Sequence, residues 1–374
     1  MRRVSVLIIL FGICFLSNNL LYAFDTNQVS EDVGLNSIIE ELNEYTEGMN
    51  LQDISEDLIS GKSIEYDTIL KKIAGSVKDS IIPCMKEVLF LLTFIVIVGV
   101  MKALELDNDS TITKVANILT VFVIVAYLLV TFGEFADTVK KVVGIQSSIV
   151  QIVSPFLMSL LILTGAVTTV GIVEPAILLI VQLISFSVNY VIMPLITVTI
   201  VFSIITSISE KIDLEKFGSM CNKTALWINA ILLSVFLGVT SLGTSVTTSV
   251  DGVTLKATQT AVSGVIPVVG KFVSDSVEFV MGATEIISKT AGVLAVITLI
   301  IVMFGPVVKL TITVIVTSFI TAVAESINTD KSVVKLLDKF SDVFKTMLGV
   351  LISTSVTFII SISIVMSLVG KVIE

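Results

Sequence analysis

Charged residues recur at helical spacing within one long apolar stretch near the middle of the chain. They are Lys271, Asp275, Glu278, Glu285 and Lys289. Gly282 fills the one place that the series skips, so the steps alternate between four and three residues. Positions with this spacing lie along one side of an α-helix. The pattern predicts a mostly apolar helix that carries these five residues as a charged seam.

The charged seam is compatible with two arrangements. The helix can lie flat at a membrane interface with its charges in water, or it can be buried with the seam facing a wet cavity or another subunit. The second arrangement makes the seam a candidate pathway or subunit contact. Just before it, Gly264, Pro267 and Gly270 form a candidate hinge or re-entrant segment. Irregular backbone at membrane depth is tolerated only where protein or water surrounds it.

Glu174 and Lys309 interrupt otherwise apolar sequence. An ionisable side chain inside a membrane is a functional candidate by default, because its burial in hydrocarbon is costly. Both residues are therefore candidate intramembrane charges. Each also fits a tight turn, since Pro175 and Pro306 lie beside them.

The absence of histidine limits the chemistry that the chain can perform. Ser-His-Asp systems, zinc sites built on paired histidines and histidine proton relays are excluded. The sequence also lacks a phosphate-binding loop, a dinucleotide fingerprint and a metal-ligand cluster. A Ser-Lys dyad stays open, although no spacing points to one. No catalytic residue, cofactor or metal is predicted.

The composition indicates which elements must position these residues. Of 374 residues, 54% are hydrophobic and 15% are charged, whereas soluble domains carry about 25% charged residues. Uncharged runs of 18 or more residues recur, each long enough to cross a hydrocarbon core of about 30 Å. The sequence predicts an all-α, polytopic membrane protein with about eight transmembrane helices.

The predicted spans differ in how clearly they are bounded. They are Ile81–Met101, Val115–Gly133, at least two between 142 and 209, Thr224–Val250, Thr290–Val308, Leu310–Ala324 and Thr346–Gly370. Pro155, Gly165, Gly171 and Pro194 interrupt the region from 142 to 209, so broken or re-entrant helices are expected there. Trp227 lies where an interfacial anchor is expected. Lysine counts on the two sides of these spans are nearly equal and do not decide their orientation.

The N-terminal part predicts export. Residues 1–23 have a basic start, an apolar stretch and a polar end at Ala23, which is typical of a signal peptide. An uncleaved anchor is the alternative, and both place the acidic segment 24–83 outside the cytoplasm, ahead of the multi-span domain 84–374. Apolar stripes predict short amphipathic helices in that segment, with an acidic surface that is either simply solvated or a docking face. The stripes are Leu35, Ile38, Ile39 and Leu42; Leu51, Ile54 and Leu58; and Ile69, Ile73, Val77 and Ile81.

A further amphipathic stretch runs from Asp330 to Lys345. Its apolar positions are Val333, Leu337, Phe340 and Phe344, opposite Lys331, Lys335, Lys339 and Lys345. This pattern predicts a helix on a membrane surface or against a partner.

Several motifs resemble the stage III sporulation protein AE family of endospore-forming bacteria. They are Asp251-Gly252-Val253-Thr254-Leu255-Lys256, Gly264-Val265-Ile266-Pro267-Val268-Val269-Gly270, Asn189-Tyr190-Val191-Ile192-Met193-Pro194-Leu195 and Val235-Phe236-Leu237-Gly238-Val239. The resemblance extends from about Ile69 to the C-terminus. Before it, the chain is similar to the family only in length and acidity.

The resemblance implies a multipass component of the channel complex that joins mother cell and forespore. It implies a place in the mother-cell-derived membrane around the forespore. The implied partners are other subunits of the same complex: ring-forming membrane proteins, a cytoplasmic ATPase and a protein of the forespore membrane. Membrane lipid is expected to contact the chain, and nucleic acid is not. The resemblance supplies no catalytic residues.

Three functions compete on this basis. The first is a non-enzymatic membrane core of a secretion or transport channel, with the charged seam lining a path or contacting a neighbour. The second is a stand-alone secondary transporter that uses Glu174 or Lys309 as a coupling charge, which should show inverted repeats. The third is an intramembrane hydrolase, for which the sequence displays no nucleophile and base.

Overall fold

The computed structural model describes residues 34–46, 49–62, 111–208, 213–265, 267–327 and 331–373, with single residues and pairs between 71 and 96. Side chains are described in these ranges except at 111–118, 120–121, 208, 241–280 and 371–373. Every regular element in this part of the chain is helical. The predicted all-α class is therefore confirmed.

The elements comprise short N-terminal helices followed by long ones. They are α1 (Leu35–Asn43), α2 (Leu51–Ile59), α3 (Thr111–Leu163), α4 (Val167–Ser187), a π-helical turn (Val188–Ile192), α5 (Met193–Ile208), α6 (Glu215–Val265), α7 (Pro267–Ser326) and α8 (Lys331–Ile373). The described residues contain five helical segments long and apolar enough to cross a membrane: 122–163, 167–207, 215–240, 281–326 and 331–370.

The first two apolar stripes of the acidic segment form helices, as predicted. Leu35, Ile38, Ile39 and Leu42 are buried on α1, and Leu51 is buried at the start of α2. Asn50 caps α2, because its side-chain oxygen accepts a hydrogen bond from the backbone N–H of Gln52. Both helices pack against α7, so the chain's own long helix covers their apolar faces. The third stripe lies outside the described residues, and the external location stays a prediction.

The turn between α3 and α4 shows why one predicted interruption breaks the chain. Gly165 has a φ of 87°, a left-handed conformation that glycine adopts without strain. Its N–H donates to Ile162, and the N–H of Ala166 donates to Leu161. These two bonds form a Schellman motif, which satisfies carbonyls at the end of α3. The chain can therefore reverse direction within three residues.

The interruption predicted at Pro194 is a π-helical turn. Proline lacks an N–H and its ring crowds the carbonyl four residues earlier, which here belongs to Tyr190. The preceding residues widen into the π turn, and the N–H of Met193 donates to Val188 five residues back. Asn189 adds a side-chain hydrogen bond to the carbonyl of Ser185. The helix axis thus continues from α4 into α5 without a reversal.

The other predicted interruptions lie inside continuous helices. Pro155 is within α3, Pro175 within α4 and Pro306 within α7. The alternative that Glu174 and Lys309 occupy tight turns is therefore wrong, since both are helical. Neighbouring helices can stabilise a proline inside a membrane helix, and this is why proline alone did not locate the turns.

Two pairs of predicted spans are each one helix. Val115–Gly133 and the run that begins at Val142 both belong to α3, and Thr290–Val308 and Leu310–Ala324 both belong to α7. A continuous helix cannot reverse direction, so neither pair can cross one bilayer twice. These two mergers lower the predicted number of crossings.

The core is built from α3, α7 and α8, which pack against one another, while α6 packs on α8, α5 and α4. Phe135 of α3 meets Phe344 of α8 edge to face, with ring centroids 5.7 Å apart. The apolar face predicted at the start of α8 is thus buried: Val333, Leu337, Phe340 and Phe344 are each at most 1% exposed. Its partner is this chain itself, and no membrane surface is needed to cover it.

Close contact between α7 and α8 predicts the effect of enlarging one glycine. A Cβ at Gly292 would lie 2.8 Å from the sulfur of Met366, whereas one at Gly282 would meet nothing within 4 Å. We expect Gly292→Leu to lower the free energy of unfolding by about 1–3 kcal/mol through overpacking. The thermal midpoint in detergent measures this.

Gly282→Leu on the same helix is the matched control and should leave the midpoint near that of the wild type. Shortening the opposing side chain in Gly292→Leu/Met366→Ala should recover part of the loss. Equal effects of the two glycine substitutions would contradict the assigned contact.

Candidate functional site

A buried amide joins the three core helices. The side-chain nitrogen of Gln146 on α3 donates to the carbonyl of Leu299 on α7, at 3.3 Å. Its side-chain oxygen accepts from the hydroxyl of Ser355 on α8, at 2.9 Å. Gln146 and Ser355 are both fully buried. We call this set the polar junction. It positions α3, α7 and α8 relative to one another, because its two hydrogen bonds are directional.

Sequence reasoning missed the polar junction. Gln146 is uncharged and lies within an uncharged run, so a search for charges and motifs does not select it. The available signal was a lone amide within an apolar helix, since such groups commonly bond across helices. Four further hydroxyls on these helices are buried without a hydrogen-bond partner among the described residues: Ser154, Ser288, Thr290 and Ser361.

Contacts between helices establish their relative directions and heights. The pairs Phe135–Phe344 and Gln146–Ser355 share one offset of 209 residues, so α3 and α8 run parallel in register. Asn229 of α6 donates to Ser353 of α8, and Glu215 meets Lys339 with the same offset of 124 residues. Helix α6 is therefore parallel as well. Antiparallel α7 meets α8 where Ser318 lies 2.8 Å from Ser341.

At matching heights, the long helices share one layer that contains no charged residue. It comprises 142–157 of α3, 175–190 from α4 into the π-helical turn, 227–242 of α6, 292–307 of α7 and 351–366 of α8, 16 residues in each. The height of the second segment follows from the hydrogen bond of Thr199 to the carbonyl of Gly218. Sixteen helical residues extend about 24 Å, close to the thickness of a hydrocarbon core. We call this the charge-free layer.

The two candidate intramembrane charges lie at opposite rims of the charge-free layer. Glu174 is the residue directly before the segment 175–190 and is half-buried. Lys309 is the second residue after the segment 292–307 and is exposed. The thickness of the layer separates them, so the structure does not bring them together. A role for either residue stays a prediction.

The described part of the charged seam contains Glu285 and Lys289, which form an ion pair 2.6 Å long on one side of α7. Both side chains are about a quarter to a third exposed. The residues around them, Met281, Ile286 and Ile287, are buried within the chain. A helix lying flat on a membrane would instead present such residues to lipid. At this end of the seam, the chain itself therefore covers the surrounding apolar residues, and what the charged side faces stays a prediction.

The other seam residues and the hinge are described only as backbone. Lys271, Asp275 and Glu278 lie in α7, but their side chains are outside the described part of the chain. Gly264 is near the end of α6, Pro267 begins α7 and Gly270 follows within its first turn. Proline suits the first turn of a helix because its missing N–H would have no partner there. The pathway and hinge roles stay predictions.

An ion-pair clamp joins the beginnings of α6 and α8. A carboxylate oxygen of Glu215 lies 3.0 Å from the amine of Lys339, and the other lies 3.9 Å from that of Lys335. The lysines are four residues apart, so both reach one carboxylate from the same face of α8. This clamp shows that the lysine side of the amphipathic stretch also contacts this chain.

The described side chains supply polarity and charge without a recognisable catalytic set. Among the described residues, no group of three or more metal-ligating side chains comes together. Cys221 is a free thiol and is half-buried. What the arrangement offers is a bundle with an uncharged polar junction inside and charges at both rims.

These features define a polytopic helical membrane protein. A family model described as stage III sporulation protein AE matches residues 49–369. The chain belongs to the stage III sporulation protein AE family. The resemblance to this family is therefore confirmed, and the match begins at residue 49, ahead of Ile69. Membership of the family suggests a role related to sporulation.

A curated relative supports the assignment at lower similarity. It is the stage III sporulation protein AE of Bacillus subtilis (strain 168), which is 25% identical over 202 residues. The alignment covers 54% of this chain and 51% of the relative, so it spans about half the length of each. No solved structure matches the chain.

The polar junction predicts energetic coupling between α3 and α8. Gln146→Leu should lower the free energy of unfolding in bicelles by about 1 kcal/mol, because hydrogen bonds between membrane helices contribute on that order. In a double-mutant cycle with Ser355→Ala, the two losses should be less than additive. Gln151→Leu, at an exposed position on the same helix, is the control: its amide bonds within α3, to Ser147, so it should show no coupling to Ser355→Ala. Full additivity in the cycle would disprove the bond.

The ion-pair clamp predicts a charge-swap rescue. Lys339→Glu should lower the thermal midpoint at low salt, because it places two acids together, and the deficit should shrink at high salt. The effect should be small, about 0.2–1 kcal/mol, because the pair is partly exposed. The double variant Lys339→Glu/Glu215→Lys should restore the midpoint. The control swap, Lys331→Glu/Glu215→Lys, leaves Lys339 in place opposite the new lysine and should not. A swap that fails to rescue would argue against the clamp.

Proposed function

We propose that this chain is a non-enzymatic, multipass membrane component of the sporulation channel complex that links mother cell and forespore. Its place would be the mother-cell-derived membrane surrounding the forespore. Family membership supports the sporulation role. The observation that carries the rest is the charge-free layer: the described helices cross it with uncharged polar contacts only, as suits a structural or conducting subunit.

The proposed topology has six crossings rather than eight. The five described segments cross once each, and the predicted span Ile81–Met101, which lies mostly outside the described residues, adds one. The long helices then extend well beyond the bilayer. Helices of 40 residues or more are about twice the length that one crossing needs, so large parts of them are available to other subunits.

An exposed apolar patch supports a subunit role. On α3 and α7, beyond the rim of the charge-free layer near Lys309, large apolar side chains are more than half exposed, among them Phe122, Val130, Ile315 and Phe319. Val130 and Phe319 stand at about the same height on neighbouring helices. Contiguous apolar surface outside a membrane marks protein contacts. The family partners, ring-forming membrane proteins and a cytoplasmic ATPase, are the proposed neighbours of the chain.

The stand-alone transporter is less well supported. Secondary transporters place coupling charges near the bilayer midplane, between inverted repeats. Glu174 and Lys309 instead lie at opposite rims of the charge-free layer, where water or headgroups can solvate them. The geometry thus gives neither residue the position that ion coupling requires.

The channel role predicts that the charged seam matters for development. In an endospore-forming host that lacks its own copy, Asp275→Asn with Glu278→Gln should lower the yield of heat-resistant spores by at least about tenfold. Removing one side of a buried or interfacial charge contact costs on the order of 2–5 kcal/mol. The yield of heat-resistant spores after induction measures the effect, with protein abundance checked by immunoblot.

Glu40→Gln with Glu41→Gln provides the matched control. Both acids are exposed on α1, so the same loss of charge there should leave spore yield unchanged. Normal sporulation of the seam variant would disprove the seam's part in the proposal. A loss of yield in both variants would point to acidity in general and not to the seam.

A further inference from the structure

Lysines from four helices lie at similar heights, at one rim of the charge-free layer. They are Lys140 and Lys141 of α3, Lys223 of α6, Lys309 of α7 and Lys345 of α8. Lys141, Lys223, Lys309 and Lys345 are exposed, and Lys345 also pairs with Asp342 at 3.1 Å. In the register set by the contacts between helices, all five stand within about one and a half helical turns of one another. We call this set the lysine rim. The opposite rim has a different character, with Glu174, Glu285 and Lys289 near its edge.

Two exposed aromatic side chains stand at the height where the lysine rim begins. Trp227 is 69% exposed on α6 and Tyr190 is 70% exposed in the π turn. Tryptophan and tyrosine are enriched at headgroup level, because their rings are apolar and carry one polar group. Trp227 is four residues from Lys223, so both lie on the same side of α6. Lysine and aromatic side chains together are typical of a contact with phospholipid headgroups.

Lysines are distributed unequally between the two sides of the layer. Among the described residues from α3 onward, 10 lie on the side of the lysine rim and 4 on the other side. The first group is Lys114, Lys140, Lys141, Lys216, Lys223, Lys309, Lys331, Lys335, Lys339 and Lys345; the second is Lys256, Lys271, Lys289 and Lys371. The near-equal count from sequence arose because Val115–Gly133 and Leu310–Ala324 were each assigned their own crossing. Each is part of a longer helix, α3 or α7, and the two extra crossings divided the lysines of one side between both sides. Lysine excess marks the cytoplasmic side of membrane proteins.

We propose that the lysine rim, with Trp227 and Tyr190, binds the anionic phospholipid headgroups of the cytoplasmic leaflet. This contact orients the chain. The starts of α3, α6 and α8 then lie in the cytoplasm, and the junction of α6 with α7 lies outside together with the charged seam. A single crossing at Ile81–Met101 then places the acidic segment outside, as the signal peptide predicts.

The single tryptophan is a built-in reporter for the lipid contact. The full chain would be reconstituted in vesicles of phosphatidylcholine and phosphatidylglycerol, with one lipid brominated at a time. Contact with brominated chains quenches Trp227 fluorescence. We expect phosphatidylglycerol to be preferred over phosphatidylcholine by about fivefold, the size of effect that one lysine near an anionic surface supplies. The preference should fall as salt is added.

Lys223→Gln with Lys309→Gln should reduce this preference to about one. The control, Lys216→Gln with Lys331→Gln, removes two exposed lysines of the same side that lie away from the rim, and it should retain the preference. No preference in the wild type, or equal losses in both variants, would overturn the proposed contact. Neither measurement depends on the role in sporulation.

The orientation has a separate test. With native cysteines replaced by serine, Thr168→Cys and Ser326→Cys place one exposed thiol beyond each rim of the layer. A membrane-impermeant maleimide added to intact protoplasts of non-sporulating cells that express the chain in their cell membrane should label position 168 at once and position 326 only after permeabilisation. The reverse pattern, or labelling of both in intact protoplasts, would overturn the orientation.

Discussion

The bundle depends on one constraint: the charge-free layer, about 24 Å thick, contains no charged side chain. Within it, uncharged contacts alone must hold the long helices together. Apolar packing is weakly directional and is matched by lipid, which gives little preference for one register over another. Directional polar bonds and close side-chain packing supply that preference. Gln146 bridges three helices, Asn229 reaches Ser353, and Gly292 leaves room for the Met366 side chain of α8.

Outside the layer, water solvates charged side chains, so ion pairs form there without the cost of placing a charge in hydrocarbon. The carboxylate of Glu215 meets two lysines of α8 well beyond the lysine rim, whereas Glu285 and Lys289 pair within α7. Parallel α6 and α8 thus share a register that is fixed near their starts as well as within the layer, where Asn229 bonds Ser353. The polar junction and the ion-pair clamp lie about 16 residues apart along α8, so together they restrain sliding and rotation.

Sequence alone could predict the helical class, the first two acidic-segment helices and the buried face of Val333 and Phe344, because each depends on apolar periodicity. It could not predict which interruption reverses the chain. Gly165 does so through its left-handed backbone, whereas Pro155, Pro175 and Pro306 remain inside helices whose neighbours compensate the lost hydrogen bonds. Gln146 was missed for a related reason. The stability that a side-chain amide contributes depends on which helices surround it, and local sequence does not contain that information.

Helix α7 has 60 residues, which corresponds to about 90 Å at the usual rise per residue. Only about a quarter of it lies within the charge-free layer. A continuous helix of this length can transmit motion, because a displacement or rotation at the charged seam reaches Ser326 on the far side without passing through a loop. At Pro306 this helix lacks a backbone hydrogen bond. Bending there would swing the hairpin of α7 and α8, together with Lys309 and Lys345, relative to α3 and α6, so a displacement on one face of the membrane would have a direct route to the other.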